Sequence, residues 1–259
     1  MSFFVNDGLI GCKDKNLTLY FTGSDTEKVF LDQIKSKPTD WYYKDTEITY
    51  TYNNYGHRCS NITDINLDNY ILFLGCSHTF GIGNKLEDSY PYVLSKKLGM
   101  DYYNLALGAT GTDSNRHNLS VWLEKFSKPK YIIWQWPRSP RFLYASDINK
   151  HPIALKGAIP QEPREDVSRS LFHLDRLNYF FIIDYLAYMH LRSIDVPVLQ
   201  IQIDGAGQFD QFTHTKQQTD SYITSFPIMD AARDNQHYGL KTNSNIANVL
   251  YNKITNSDY

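Results

Sequence analysis

Two short segments of the chain carry residue types that serine-dependent chemistry requires. The first, GCSHTFG (75–81), follows the apolar run ILFL (71–74) and puts Ser77 and His78 on a bend bounded by glycines. A serine hydroxyl is a poor nucleophile until a base removes its proton, and that base is usually an imidazole oriented by a carboxylate. A strand-to-helix turn presents its serine at the mouth of a sheet and directs nearby amides toward an oxyanion. We therefore expect Ser77 to be a nucleophile.

The second segment, RDNQHYG (233–239), supplies partners for such a serine. Asp234 and His237 are three residues apart, a spacing that puts both side chains on one side of a helical turn. A solvated Asp beside a surface His is the commoner outcome of this spacing, but the segment lies between the last predicted strand and the final helix. His78 is the weaker candidate for the base, because adjacent residues on a turn point in different directions. We expect His237 to be the base and Asp234 its orienting acid.

The first segment resembles a sequence block of the SGNH (GDSL-type) hydrolases, a family of serine esterases and lipases. Ser77 matches the nucleophile of that block, and Cys76 stands where Asp is commoner. The segment NLALGATG (104–111) is similar to the second block, in which a glycine amide contributes to the oxyanion hole, and Gly108 matches that glycine. The resemblance implies that the amides of Ser77 and Gly108 stabilise an oxyanion.

The segment RDNQHYG is similar to the fifth block of the same family. The resemblance implies that Asp234 is the orienting acid and His237 the base. The matched segments are in the family's order and extend from about residue 70 to the C-terminus. The family's fold is a flavodoxin-like three-layer αβα sandwich, and its chemistry is metal-independent ester hydrolysis without a cofactor. We expect both for this chain.

One block departs from the family pattern. After the third predicted strand the family has Gly-x-Asn-Asp, whose Asn donates to the oxyanion, whereas WQWPRSPRF (134–142) contains no Asn. Either Gln135, Arg138 or Arg141 replaces that donor, or the oxyanion hole has only its two backbone amides. The two arginines are also candidates for binding an anionic substrate through their planar guanidinium groups, or for surface ion pairs.

These segments need a scaffold, and apolar patterning after residue 68 predicts one. Strands are predicted at 71–75, 101–107, 131–136 and 197–203, and helices at 88–99, 114–126, 166–193 and 242–254. Thr242 or Asn243 is expected to cap the last helix. Strands separated by such helices need crossover connections, so a mainly parallel sheet with helices on both faces is expected. The functional groups of such sheets collect at the carboxyl ends of the strands.

The first 67 residues do not fit this alternation. The segment DTEITYTYNNYGHR (45–58) looks extended and partly exposed. We therefore predict two parts, an irregular N-terminal extension over residues 1–67, packed on an SGNH-like α/β domain over residues 68–259.

Composition excludes several classes of protein. The chain has 259 residues, 42% of them hydrophobic, so it can bury a sizeable core. The net charge is −2 and no long basic run occurs, which argues against nucleic acid as a partner. The three cysteines are too scattered for a disulfide framework or a zinc site, and the histidines form no short ligand motif. No metal and no cofactor are expected.

Targeting signals and membrane spans are not visible either. The most apolar helical stretch, 179–191, contains Asp184 and is too short to cross a bilayer. The N-terminal residues do not have a basic leader followed by a long apolar run. We expect a cytoplasmic protein, and carriage on a virus particle or leaderless export would fit the same sequence. The oligomeric state is left open.

The leading hypothesis is a serine ester hydrolase that acts on small acyl esters, with O-acetylated carbohydrate as one example. The aromatic content of 15%, including 20 Tyr, mildly favours a sugar. An O-acyltransferase would use the same residues. A non-catalytic carbohydrate- or partner-binding module that retains the fold is the alternative from a different class, and the absence of the Asn favours it.

Overall fold

A computed structural model of the chain describes residues 2–137, 141–147, 154–158, 176–202, 222–223 and 226–256. The strands are β1 (Ser2–Asn6), β2 (Leu9–Cys12), β3 (Thr18–Leu19), β4 (Tyr50–Thr51), β5 (Tyr70–Leu74), β6 (Asp101–Asn104), β7 (Tyr131–Trp136), β8 (Phe142–Asp147), β9 (Ala154–Ala158), β10 (Val198–Gln202) and β11 (Tyr222–Ile223). The helices are α1 (Glu27–Ser36), α2 (Ser77–Phe80), α3 (Tyr90–Leu98), α4 (Thr112–Lys125), α5 (Arg176–Ser193) and α6 (Leu240–Asn256).

The central sheet is parallel and has the strand order β11-β10-β7-β5-β6. Its middle strands are buried on both faces, which is why they read as continuous apolar runs. On one face, Trp122 of α4 packs in the same cluster as Leu72 of β5, and α5 lies against α4. On the other face, Leu250 of α6 packs with Phe73, and α3 lies against α6. The predicted three-layer αβα sandwich is confirmed.

Some element boundaries differ from the sequence-based expectation. β6 ends at Asn104 rather than at residue 107, because the Asn104 side chain accepts a hydrogen bond from the Ala106 amide and turns the chain. α6 begins at Leu240, so the expected capping by Thr242 or Asn243 is wrong. Instead, the carboxylate of Asp230 accepts from the amides of residues 241 and 242. Residues 166–175 of the predicted long helix lie outside the described residues.

The N-terminal extension contains short regular elements that apolar patterning did not reveal. β1 and β2 form a hairpin whose two turn residues, Asp7 and Gly8, both have positive φ (49° and 82°). This is the turn that an Asp-Gly pair favours. β1 also pairs with β9, completing an antiparallel sheet of order β2-β1-β9-β8. Leu9 and Cys59 belong to the same core cluster as the central strands. The first 67 residues therefore share a sheet and a core with the rest of the chain.

Candidate active site

The turn that contains Ser77, the candidate nucleophile, joins β5 to α2. Ser77 is the first residue of α2 and is 6% exposed. Gly75 precedes it, and a Cβ atom there would lie 2.1 Å from Thr79 Oγ1, so the turn has room only for glycine. The Gly75 amide donates to Asn115 Oδ1 at 3.1 Å. The first amides of a helix have no acceptor within the helix, so the start of α2 offers hydrogen-bond donors beside the serine.

The acid and base candidates form a tight pair on the loop before α6. His237 Nδ1 lies 2.6 Å from Asp234 Oδ2, and the amides of Gln236 and His237 donate to Asp234 Oδ1 at 3.1 Å each. Burial raises the pKa of Asp234, but the hydrogen bond and charge of His237, with a further hydrogen bond from Ser24, outweigh burial and lower that pKa to about 2. An ionised carboxylate only accepts, so His237 Nδ1 carries a proton, and in the neutral form of the ring the lone pair lies on Nε2.

The loop that contains Asp234 and His237, the candidate acid and base, is hydrogen-bonded to residues 83–84, which follow α2. The Arg233 amide donates to the Gly83 carbonyl at 3.0 Å, and Asn84 Nδ2 donates to the Tyr238 carbonyl at 2.8 Å. Gly83 has a φ of +77°, and a Cβ atom there would lie 2.7 Å from the Ala232 Cβ. The two loops therefore approach as closely as their backbones allow.

His78, the residue after the serine, contacts the same loop. Its ring centroid lies 4.7 Å from that of His237 and 3.9 Å from that of Tyr238. His78 is the weaker base candidate by sequence, and its ring packs on that of His237, the stronger candidate. This contact brings the imidazole of His237 next to the turn that carries Ser77.

The loop with the candidate oxyanion glycine is fixed to the same turn by two asparagines. Gly108 is buried in the segment between β6 and α4. Asn104 Nδ2 donates to the Thr79 carbonyl of α2 at 2.9 Å. Asn115 Nδ2 donates to the Gly111 carbonyl at 3.1 Å, while the Oδ1 of the same side chain binds the strand end before the serine. The Gly108 loop is thus held against the turn that contains Ser77.

The three candidates for a further oxyanion donor or an anion-binding group are Gln135, Arg138 and Arg141, and the structure describes two of them. Gln135 of β7 is fully buried, its Oε1 accepts from Thr79 Oγ1 at 2.5 Å, and its Nε2 has no hydrogen-bond partner among the described residues. The backbone carbonyl of Arg141 abuts Gly111, where a Cβ atom would lie 2.1 Å from that oxygen. Arg141 Nη1 is buried and also has no hydrogen-bond partner within the described ranges. Arg138 lies outside the described residues.

Sequence reasoning missed the residues that the N-terminal extension contributes. Ser24 Oγ lies 2.6 Å from Asp234 Oδ2. The adjacent Asp25 is fully buried and pairs with Arg233 at 2.6 Å, and it also accepts from the Tyr50 hydroxyl. In the sequence, only Arg233, which directly precedes Asp234, indicated that a buried anion such as Asp25 could lie nearby. No short motif connects positions more than 200 residues apart.

Arg58 is a second contribution of the extension. Its guanidinium is buried and donates to the carbonyls of Phe80 and Gly81, at the end of the serine helix. It also donates to the carbonyls of Thr49 and Asn84. One side chain of the extension thereby fixes the carboxyl end of α2.

Two negative findings concern only the residues that the structure describes. None of their His, Cys, Asp and Glu side chains form a group of three or more that could hold a metal ion. Among the same residues, no helix is both long and apolar enough to cross a membrane.

The fold and these side chains define an α/β protein with a serine, an Asp–His pair and a glycine loop around the carboxyl ends of its central strands. No family model matches the sequence, and no curated protein matches it. Solved structures do match, at low identity. One is from Desulfitobacterium hafniense DCB-2 and is described as a lipolytic protein of the G-D-S-L family (10% identity, 71% of this chain and 99% of that chain, TM-score 0.47).

Two further similar structures are esterases. One is a psychrotrophic esterase from Pseudoalteromonas sp. (14% identity, 73% of this chain and 98% of that chain, TM-score 0.44). The other is an acetyl xylan esterase from the rumen bacterium Butyrivibrio proteoclasticus (14% identity, 73% of this chain, TM-score 0.42). The matched region spans 63% of the length of that acetyl xylan esterase.

Proposed function

We propose that the chain is a serine ester hydrolase in which Ser77, His237 and Asp234 act together. The observation that carries this proposal is the Asp234–His237 hydrogen bond of 2.6 Å, on a loop that packs on the turn containing the serine. A carboxylate that accepts from Nδ1 fixes the tautomer in which Nε2 can take a proton. The SGNH-type sequence blocks support the same assignment.

The proposed reaction has two steps. Ser77 Oγ attacks the ester carbonyl carbon while His237 Nε2 accepts the hydroxyl proton, and His237 then gives that proton to the departing alcohol. Water then attacks the acyl-enzyme carbonyl while His237 Nε2 accepts a proton from it, and the bond to Ser77 Oγ breaks as His237 returns that proton to Oγ, which releases the carboxylic acid. Asp234 stabilises the imidazolium that forms in each step. His237 is thus the one residue that relays protons, and Asp234 stays ionised throughout.

The oxyanion of each tetrahedral intermediate would be bound by the amides of Ser77 and Gly108. The loss of one oxyanion donor typically costs about 10²–10³ in turnover. Gln135 is the candidate for a further donor, because its buried Nε2 has no partner within the described part of the chain while its Oε1 is held by Thr79. The Gln135 Nε2 would then donate a hydrogen bond to the oxyanion, as the Asn after this strand does in the family pattern.

The proposed substrates are small acyl esters, with O-acetylated carbohydrate as a specific candidate. Arg141, with a buried Nη1 that has no hydrogen-bond partner among the described residues, is the candidate for binding an anionic group on such a substrate. Arg138 stays a candidate from the sequence alone. A carboxylate-bearing or phosphorylated sugar would fit a guanidinium group at this edge of the sheet.

Steady-state hydrolysis of p-nitrophenyl esters with acyl chains of increasing length tests the proposal. Wild-type protein should hydrolyse the short esters, and Ser77→Ala should reduce kcat by at least about 10³-fold. Ser120→Ala, which removes an exposed hydroxyl from α4, is the matched control and should leave kcat unchanged. Activity that survives in Ser77→Ala would rule out the nucleophile. Acyl transfer to an added sugar alcohol would assign the transferase chemistry.

The absence of Asn from residues 134–142 favours one alternative, a binding module that retains the fold without turnover. Calorimetric titration with acetylated and deacetylated xylo-oligosaccharides distinguishes the two. A binding module would bind glycan without releasing acetate, whereas the hydrolase releases one acetate for each ester consumed.

A further inference from the structure

One oxygen of the Asp234 carboxylate is shared between the candidate base and a serine of the N-terminal extension. Asp234 Oδ2 lies 2.6 Å from His237 Nδ1 and 2.6 Å from Ser24 Oγ. The other oxygen, Oδ1, accepts from two backbone amides. An ionised carboxylate can only accept, so the Ser24 hydroxyl must be a donor. Four donors therefore surround this carboxylate, and three of them come from its own loop.

Ser24 is itself held in place from both sides. The amide and carbonyl groups of Thr22 and Asp25 exchange two hydrogen bonds of 3.0 and 3.1 Å, which close a tight turn over Gly23 and Ser24. Gly23 has a φ of +62°, a conformation that glycine adopts without strain. The next side chain, Asp25, is fully buried and bonded to Arg233, the residue directly before Asp234. The hydrogen-bonded turn therefore holds the Ser24 hydroxyl beside the Asp234 carboxylate.

We infer that Ser24 is a positioning residue for the acid–base pair: its hydroxyl fixes the orientation of the Asp234 carboxylate and hence of the His237 imidazole. The inference rests on the proposed function for its catalytic consequence. The Ser24 hydroxyl contacts Asp234 Oδ2 at 2.6 Å, and its oxygen also lies 3.5 Å from His237 Nδ1, so Ser24 lies beside both members of the pair. With Oδ1 bound to two amides and Oδ2 bound to Ser24, the carboxylate plane cannot rotate without breaking a hydrogen bond, so His237 Nδ1 meets a fixed acceptor.

Two substitutions remove or weaken this donor, and two serve as comparisons. Ser24→Ala deletes the hydroxyl, and Ser24→Cys replaces it with a thiol, a weak donor of similar size. Ser24→Thr keeps a hydroxyl at the same atom. Thr22→Val is the matched control, because Thr22 lies in the same turn but its hydroxyl contacts Tyr52 rather than Asp234.

The kinetic readout is kcat and KM with a p-nitrophenyl ester across a range of pH. Ser24→Ala and Ser24→Cys should lower kcat about tenfold, the effect typical of one hydrogen bond to a charged group, with KM unchanged. The acid limb of the kcat/KM profile should move to higher pH, because a carboxylate with fewer donors holds the protonated imidazole more strongly. Ser24→Thr should restore both values, and Thr22→Val should match the wild type.

A second readout does not depend on turnover. Proton NMR should contain a downfield resonance of the His237 Nδ1–H, assigned by its loss in His237→Gln. Ser24→Ala and Ser24→Cys should displace this resonance, whereas Thr22→Val should leave it in place. The other ionisable groups around the pair, His78, Asp25 and Arg233, are unchanged in all of these variants.

The outcomes separate the two proposals. If Ser24→Ala and Ser24→Cys match the wild type in kcat, pH profile and NMR resonance, Ser24 does not position the pair. If the wild type hydrolyses no ester, the proposed function fails, and the NMR displacement alone decides whether Ser24 sets the geometry of Asp234 and His237. A loss of activity that Ser24→Thr does not restore, without a displaced resonance, would also overturn the inference.

Discussion

At the scale of single residues, the Asp234 carboxylate is the most informative group in the molecule. Its burial raises its pKa, yet the hydrogen bonds from His237 and Ser24 and the charge of His237 lower that pKa to about 2. The unfolded chain gives an Asp a pKa of about 3.9. The ionised carboxylate therefore increases the free energy of unfolding above about pH 4. This stabilisation is lost as the pH falls through the folded-state pKa of about 2.

Replacing Asp234 should expose this contribution directly. Between pH 5 and pH 1, the free energy of unfolding of the wild type should fall by about 2–3 kcal/mol more than that of Asp234→Asn. Urea titrations at a series of pH values measure the difference. Parallel pH dependence in the two proteins would mean that the carboxylate is not selectively stabilised in its charged form.

Sequence could predict part of this residue-scale arrangement. The three-residue spacing indicated that Asp234 and His237 share one side of a turn, and the two side chains are hydrogen-bonded. Their catalytic roles stay a prediction. Ser24 could not be found in the same way, because it lies 210 residues from Asp234 and belongs to no motif. Only the folded chain reveals that contact.

At the scale of elements, the short serine helix depends on a side chain from outside the central sheet. Arg58 donates from Nη1 and Nη2 to four backbone carbonyls, two of them at the end of α2, and its guanidinium lies 4.4 Å from the Tyr50 ring centroid. A lysine has one ammonium group and cannot reproduce the planar fork. The turn around Ser77 should loosen when this fork is lost.

Arg58→Lys should therefore lower the free energy of unfolding by about 2 kcal/mol, through buried carbonyls that lose a charged donor. It should also reduce kcat, because the end of α2 is no longer fixed. Thermal and urea unfolding measure the first effect, and ester hydrolysis the second. Arg116→Lys, on the exposed face of α4, is the control and should change neither. Equal stability of the two variants would refute the role of Arg58.

The elements themselves were largely readable from the sequence where apolar runs were long. β5 and β7 follow from such runs, and the helices around them follow from apolar stripes. Short elements were missed, because a two-residue strand such as β3 carries too little pattern. The end of β6 and the start of α6 depend on single side chains, Asn104 and Asp230, whose partners patterning cannot identify.

At the scale of the whole molecule, a buried ion pair connects the N-terminal extension to the loop that contains Asp234 and His237. Asp25 and Arg233 are 0% and 4% exposed and approach to 2.6 Å. Arg233 also lies over the rings of Phe21 and Phe30. Residues of the first 67 positions therefore contact the loop that contains Asp234 and His237.

Removing one partner of this pair should be much worse than removing both. Arg233→Met leaves Asp25 buried without its cation and should cost about 3–5 kcal/mol of unfolding free energy. The double variant Asp25→Asn with Arg233→Met should recover a substantial part of that loss. Urea unfolding of the single and double variants completes the cycle. A double variant as unstable as the sum of the two single variants would show that the pair is not coupled.

The central claim is that the chain activates Ser77 as a nucleophile, and reaction with a fluorophosphonate probe followed by peptide mass spectrometry tests it most directly. Only an activated hydroxyl reacts at a useful rate. The wild type should be labelled on the peptide containing Ser77, with labelling greatly slowed in His237→Ala and absent in Ser77→Ala. A wild-type protein that folds correctly but takes up no label, or is labelled equally in Ser77→Ala, would contradict the account.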